Sequence, residues 1–324
     1  MFNVLENLSI SLRQWLDQNG ESLDIHANMD LVAEGKQPDF LYILLSGKAQ
    51  VITSQGSQSI ELVTLESGEM FGEMSFIEDR PPVATIRTGS DCKVLRISRE
   101  QLKSALTANP AVGRDFYKLV GQKLASQLTT QNQFIHRWPG IDVEPIRKVL
   151  IVFSLISEVD IEWLSKRGDK LSYNKGDIII KESGHVPGLL IVLAGDAEVS
   201  ILRNGLPTTV GSSRRGEFLG EMTLLGTSDT ATASVQASTD MEILEISKSI
   251  LEAEFQKNLK FASRFYNSLA VLLSQRLRDQ LRSRGMATRA FAAEEIDDES
   301  MSLEQMSSIT TAGQRFNWLC QNIL

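Results

Sequence analysis

The chain has 324 residues, 42% of them apolar and 23% charged; at ~150 residues per domain this provides for about two globular domains and excludes wholesale disorder and fibrous repeats. Lys and Arg number 33 against 41 Asp and Glu, a net charge of -8, which disfavours a generic nucleic-acid-binding role. Two cysteines (Cys92, Cys320) and three histidines (His26, His136, His185), with no CxxC pair, exclude a disulfide framework and any recognisable metal-ligand spacing.

Met1–Trp15 has no basic segment leading into a long apolar stretch. Apolar runs such as Val149–Phe153 and Leu189–Ala194 fall far short of the ~20 residues that span a bilayer. The expectation is a cytoplasmic chain with no membrane span. No Ser/His/Asp, Cys/His or paired-carboxylate arrangement stands out, so the chain is expected not to be an enzyme, with no catalytic residue, no metal and no cofactor.

The elements occur twice. Asn3–Gln18 has helical spacing, and so does Ile146–Lys166, with Ser157 as an N-cap and Glu162 nearby. Short β-rich runs follow at Leu41–Leu45, Ala49–Thr53 and Ile60–Leu65, mirrored at Leu189–Leu193, Glu198–Leu202 and Thr208–Val210. Such even spacing predicts a β-barrel or roll. A longer helix closes each copy, Pro110–Gln131 and Leu259–Arg284. His136–Gly140 reads as the inter-domain turn, because Pro139 and Gly140 break a helix.

The duplication is in register. Trp15-Leu16 recurs as Trp163-Leu164, Gly47 as Gly195 and Gly72-Glu73-Met74 as Gly220-Glu221-Met222, all 148 positions apart. Asp91 and Asp240, Ile97-Ser98 and Ile246-Ser247, and Phe116-Tyr117 and Phe265-Tyr266 are 149 apart, so one residue enters the second copy between Met222 and Asp240. The expected organisation is α+β: two β-roll (jelly-roll-like) domains, 1–140 and 141–284, each flanked by helices, and a tail, 285–324. In the tail Phe316, Leu319, Cys320 and Ile323 form a short amphipathic stripe after Gly313, which is read as a helix break.

The blocks Gly68-Glu69-Met70-Phe71-Gly72-Glu73-Met74-Ser75 with Ala84-Thr85, and Gly216-Glu217-Phe218-Leu219-Gly220-Glu221-Met222-Thr223 with Ala233-Ser234, resemble the cyclic-nucleotide-binding domain. That family includes the regulatory subunits of cAMP-dependent protein kinase and the catabolite activator group. The resemblance implies a phosphate-binding cassette in each copy, with phosphate held at a short helix N-terminus. Glu73 and Glu221 then accept the ribose 2′-OH, and Gly72 and Gly220 let the backbone approach the sugar. Thr85 and Ser234 offer hydroxyls to base or phosphate, and Met74 and Met222 read as core fillers beside the pocket. The ligand-binding candidates are therefore Gly72, Glu73, Met74, Ser75, Ala84, Thr85, Gly220, Glu221, Met222, Thr223, Ala233 and Ser234.

The family's phosphate-binding arginine is missing from both copies. Its place is taken by Pro82 and Ala231; Arg80 and Arg87 lie to either side of the first cassette's end, and the second is rich in hydroxyls (Thr227, Ser228, Thr230, Thr232). A cyclic nucleotide or related ligand is thus expected in an atypical pocket, with poor binding of cAMP itself. Two readings stand. One is a regulatory protein that senses such a ligand and relays it to a partner through the closing helices. The other is a ligand-independent interaction scaffold with degenerate pockets.

The apolar stripe Phe265, Leu269, Leu272, Leu273, Leu277 and Leu281 suits self-association, with cover by its own roll as the alternative. A protein partner or a second copy is expected there or at the tail, and nucleic acid is not. Arg264, Arg276, Arg278, Arg282, Arg284 and Arg289 read as a solvated helix face before an acidic linker, and Ser213-Arg214-Arg215 as a turn.

Overall fold

The computed structural model describes residues 2–134, 152–226, 230–291 and 303–323. Helix α1 (Ile10–Asn19) starts at Ser9, whose hydroxyl accepts the Leu12 amide, and a 3-10 turn (Leu5–Asn7) precedes it. Eight strands follow: β1 (Glu21–Ile25), β2 (Asp30–Val32), β3 (Phe40–Ser46), β4 (Ala49–Gln55), β5 (Gln58–Leu65), β6 (Met70–Phe71), β7 (Thr85–Thr88) and β8 (Cys92–Ser98). Between β6 and β7 lies the short helix α2 (Glu73–Glu78); α3 (Arg99–Ala108) and α4 (Pro110–Phe134) close the copy.

The strands form two antiparallel sheets, β1-β8-β3-β6 and β2-β7-β4-β5. Between them sit Val32, Tyr42, Leu44, Ala49, Leu65, Phe71, Ile86 and Val94, the inward set of a β-roll. Tyr42 and Phe71 stack there with ring centroids 5.2 Å apart.

The second copy repeats this plan. Helix α5 (Glu158–Arg167) leads into β9 (Asp169–Tyr173), β10 (Ile178–Ile180), β11 (Gly188–Ala194), β12 (Asp196–Arg203), β13 (Leu206–Arg214) and β14 (Phe218–Leu219). Then come α6 (Glu221–Leu224), β15 (Ser234–Ala237), β16 (Met241–Ser247), α7 (Lys248–Lys257) and α8 (Leu259–Ser283). Its sheets, β14-β11-β16-β9 and β10-β15-β12-β13, pair in the same order as those of the first copy. Helix α9 (Leu303–Gln321) ends the chain.

Two compact units result: Met1–Gln127 with Ala270–Ser302, and Leu128–Leu269 with Leu303–Leu324. Sequence order and compactness therefore divide the chain differently. Helix α8 gives its residues through Leu269 to the second unit and those from Ala270 onward to the first. The inter-domain turn expected at His136–Gly140 lies outside the described residues.

Several local expectations need correction. Of the helical stretch expected over Ile146–Lys166, residues 146–151 lie outside the described residues; Ser157 is the N-cap expected and starts α5, in a reciprocal capping box whose acidic partner is Asp160, not Glu162. In the tail, Gly313 breaks nothing and lies inside α9, which is anchored by buried Ala312, Phe316 and Leu319. The ring of Phe316 meets Phe153 with centroids 5.0 Å apart, and the Arg215 guanidinium lies 5.0 Å from its centroid. Arg315 donates to the carbonyls of Phe153, Ser154 and Ile156, the free end of the helical turn before α5. Ser213 and Arg214 end β13, and the expected turn comes one step later, at Arg215-Gly216, closed by the Glu217 amide on the Arg214 carbonyl at 3.0 Å.

The α8 stripe is buried within the chain along its whole length, from Phe265 to Leu281. Cover by the chain itself therefore replaces the open face that self-association needs. The arginines do not make a uniformly solvated face either. Arg264 clamps Asp160 through two bonds of 2.7 and 2.8 Å, and Arg278 is only 3% exposed.

Candidate functional site

In the first copy β6 delivers the chain to Gly72 at φ 88, and α2 starts at the next residue. That left-handed turn, not crowding, requires glycine: a Cβ at Gly72 would meet nothing closer than 3.5 Å. At Gly220 both demands coincide, with φ 76 and Val186 and Gly188 within 2.8 Å of a Cβ. Glu73 and Glu221 are thereby held at the first position of their helices, 3% and 4% exposed.

A buried carboxylate needs partners. Glu73 finds one in Lys123 of α4, an ion pair in which both side chains are almost fully buried. In the same unit Phe76 of α2 meets Phe116 of α4 edge to face at 5.5 Å. One ion pair and one aromatic contact thus tie the cassette to its closing helix. Just upstream, burial pushes the Glu69 carboxyl up, against the lowering influence of the Glu66 amide and of Lys123.

The remaining candidates line the same two loops. Ser75 is buried and donates to the Arg80 carbonyl. Ala84 is buried beside Thr85, whose Oγ1 accepts the Glu34 amide at 3.0 Å. In the second copy Thr223 donates to the Gly220 carbonyl at 2.8 Å, and the Met222 sulfur accepts from Thr232 at 3.6 Å. Ser234 Oγ accepts the Glu182 amide at 2.9 Å, next to half-buried Ala233. Met74 and Met222 are both half-buried beside their glutamates. Thr85 and Ser234 thus spend an oxygen lone pair on the backbone and keep a hydroxyl hydrogen to donate.

Pro82 and Ala231, the positions where the resemblance puts a phosphate arginine, are both buried. Of the flanking cations, Arg87 is committed to Asp30 by bonds of 2.6 and 3.0 Å. Thr227 and Ser228 lie outside the described residues.

Sequence reasoning missed Lys123 and Glu34. Lys123 sits within the buried run Leu119, Val120, Leu124, where a lone cation on an apolar face signals a buried acid. Glu34 and Glu182 share the 148-residue offset, which was the available signal. Each carboxylate closes a loop: Glu34 accepts the Ser54 amide at 2.9 Å and Glu182 the Leu202 amide at 2.6 Å.

With this geometry in view, the comparisons with known proteins agree. The cyclic nucleotide-binding domain model matches residues 24–109 and 170–258, more than half of the chain, and the chain belongs to that family. The cAMP-dependent protein kinase regulatory subunit of Mycosarcoma maydis is 23% identical over 233 residues, 68% of this chain and 39% of the relative. The corresponding subunit of Pyricularia oryzae is 20% identical over 234 residues, 69% of this chain and 53% of the relative. The chain therefore spans only part of the length of the relatives it matches. Among solved structures, the regulatory domain of Toxoplasma gondii PKA with cAMP is similar at 17% identity and a TM-score of 0.32, covering 85% of this chain and 92% of that one. A regulatory subunit of a cAMP-independent protein kinase A from Trypanosoma cruzi, bound to guanosine, is similar at 18% identity and a TM-score of 0.29, covering 80% and 87%. The chain is thus a tandem cyclic-nucleotide-binding-domain protein. Among the described residues no helix is long and apolar enough to cross a membrane.

Proposed function

We propose that the chain is a cytoplasmic regulatory protein without catalysis of its own, whose rolls sense a small ribose-bearing ligand and relay it to a protein partner. The observation that carries this reading is the pairing of what the cassettes keep with what they lack. Both keep a left-handed glycine followed by a buried carboxylate, Glu73 and Glu221. Both lack the cation, at Pro82 and Ala231.

A carboxylate accepts the hydroxyls of a ribose. A phosphate entering the same site leaves water without a charge partner, and a lost charge-assisted bond costs ~1.5–3 kcal/mol, or roughly ten- to a hundredfold in affinity. The charge balance therefore favours an uncharged nucleoside over a cyclic nucleotide. Relay follows from the links to α4. A ligand hydroxyl on Glu73 competes with Lys123, and any difference in that competition biases the closing helix. The likeness to kinase regulatory subunits supports a protein partner.

A second reading, a scaffold that binds no ligand, is favoured by that same ion pair, because Lys123 satisfies Glu73 from within the chain. Thermal-shift titration of the full chain with adenosine, guanosine, cAMP, cGMP and a cyclic dinucleotide separates the two. A ligand at a hundredfold excess over Kd stabilises the native state by about 2.7 kcal/mol. The sensor reading expects a shift with at least one nucleoside, and flat melting curves throughout leave only the scaffold.

A further inference from the structure

The first unit contains a chain segment that the cassette chemistry does not use. After α8, residues 284–291 run against the last residues of the first cassette and the strand beside it. The amides of Arg289 and Ala290 donate to Ser54 Oγ at 3.0 Å and to Glu34 Oε1 at 3.3 Å. The Thr288 hydroxyl lies 3.2 Å from the same Ser54 oxygen, and Gln55 donates to the Arg284 carbonyl at 3.2 Å. Ala287, Ala290 and Phe291 are buried in one apolar cluster with Leu281 and with Val83, the residue after Pro82; Leu62 of β5 packs on it.

Upstream, Arg278 secures the approach. Its Nε lies 3.0 Å from the Glu78 carboxylate at the end of α2, and it donates to the Pro81 carbonyl at 3.0 Å. Ser274 also donates to Glu78. From Ser274 to Phe291 the chain therefore touches the cassette's end, at Glu78, Pro81 and Val83, and the carboxylate of Glu34, whose amide holds Thr85. In the second roll the position equivalent to Ser54 is Leu202, which is 58% exposed. The two rolls are thus unequal at the same place.

We propose that residues 284–291 are an intramolecular plug that closes the mouth of the first roll, latched by Arg278 on Glu78, while the second roll stays open. A ligand reaches the first cassette only from the released state, and its apparent affinity there is lowered by the fraction of time the plug is out. The part of this proposal that concerns ligand rests on the sensing reading; the closure itself does not. Apart from Phe291, the segment meets the roll through small alanines and backbone amides, so release exposes one aromatic ring and a small apolar patch while the sheets keep their own core.

Access measures closure without any ligand. Leu62→Cys places a thiol beneath the plug, and its rate of reaction with a soluble aromatic disulfide is followed in the full chain, with the parent chain as background for Cys92 and Cys320. Release by Ala287→Glu with Ala290→Glu is expected to raise that rate about tenfold or more. Ala290→Pro, which deletes the amide donated to Glu34, is the second release variant should the first fail to fold. Equal rates with the plug intact and released overturn the proposal. In the same proteins, calorimetry with adenosine is expected to give one site in the parent and two in the released chain. Two sites in the parent likewise overturn closure. A rate contrast without adenosine heat upholds the plug and removes the nucleoside reading instead.

Discussion

The pair of Glu73 and Lys123 is the most consequential contact in the first cassette. Both groups are out of water, so each depends on the other for its charge. Lys123→Leu is expected to cost about 3–5 kcal/mol in urea unfolding by leaving a buried carboxylate alone. Adding Glu73→Gln to Lys123→Leu should recover most of that loss, and a double variant no better than the single would show that the pair is not the cause. The second copy carries Leu272 at the position equivalent to Lys123. Next to Phe116, burial pushes the Tyr117 hydroxyl from 10.0 up to about 12. A raised pKa means stability that is complete below the ordinary value near 10 and lost as pH rises through about 12. Tyr117→Phe should therefore flatten the alkaline limb of the stability curve between those values, and an unchanged limb would assign it to other groups. Much of the candidate site was readable from residues alone, because Gly72-Glu73 recurs as Gly220-Glu221 148 positions on, and Pro82 and Ala231 each lie two residues before Ala84-Thr85 and Ala233-Ser234. Lys123 was not, because its meaning depends on an acid fifty positions earlier in sequence and on a neighbour in space that no spacing rule connects.

At the scale of elements, strands and closing helices followed from periodicity, and errors fell where one residue can serve two roles. Ser157 starts α5 as the N-cap it was expected to be, but the acid that answers it is Asp160 and not Glu162, because Asp160 both closes the capping box and anchors Arg264. Gly313 can end a helix or be carried in one at a cost of ~1 kcal/mol, and the buried face of α9 outweighs that cost. Because Phe316 fills a site between Phe153 and Arg215, Phe316→Ala should destabilise the chain by about 3–5 kcal/mol in thermal or urea unfolding. A change under 1 kcal/mol would mean that α9 docks through other residues. The α8 stripe carries the complementary lesson, since an amphipathic pattern states that a face is covered and not by what. With Leu273 and Leu277 buried in their own chain, Leu273→Glu should lower the melting temperature and leave the sedimenting mass of the folded fraction unaltered. A fall in mass with stability retained would restore the helix as an interface.

For the molecule as a whole, duplication has produced two rolls of one topology with unequal cassettes. The first has Glu73 paired with Lys123 and its mouth covered by residues 284–291; in the second, Leu272 stands at the position of Lys123 and the exposed Leu202 at that of Ser54. That asymmetry directs the search for ligand to the second roll. There the claim is that Glu221 is kept for a ribose and that the absence of a cation at Ala231 turns the site from phosphate toward uncharged sugar. Calorimetric titration of the full chain with adenosine and with cAMP, for the parent and for Ala231→Arg, tests this most directly. The expected result is adenosine binding more tightly than cAMP in the parent by roughly tenfold or more, and the order reversed by the arginine. Parent binding of cAMP in the low micromolar range or tighter, unimproved by Ala231→Arg, would contradict it.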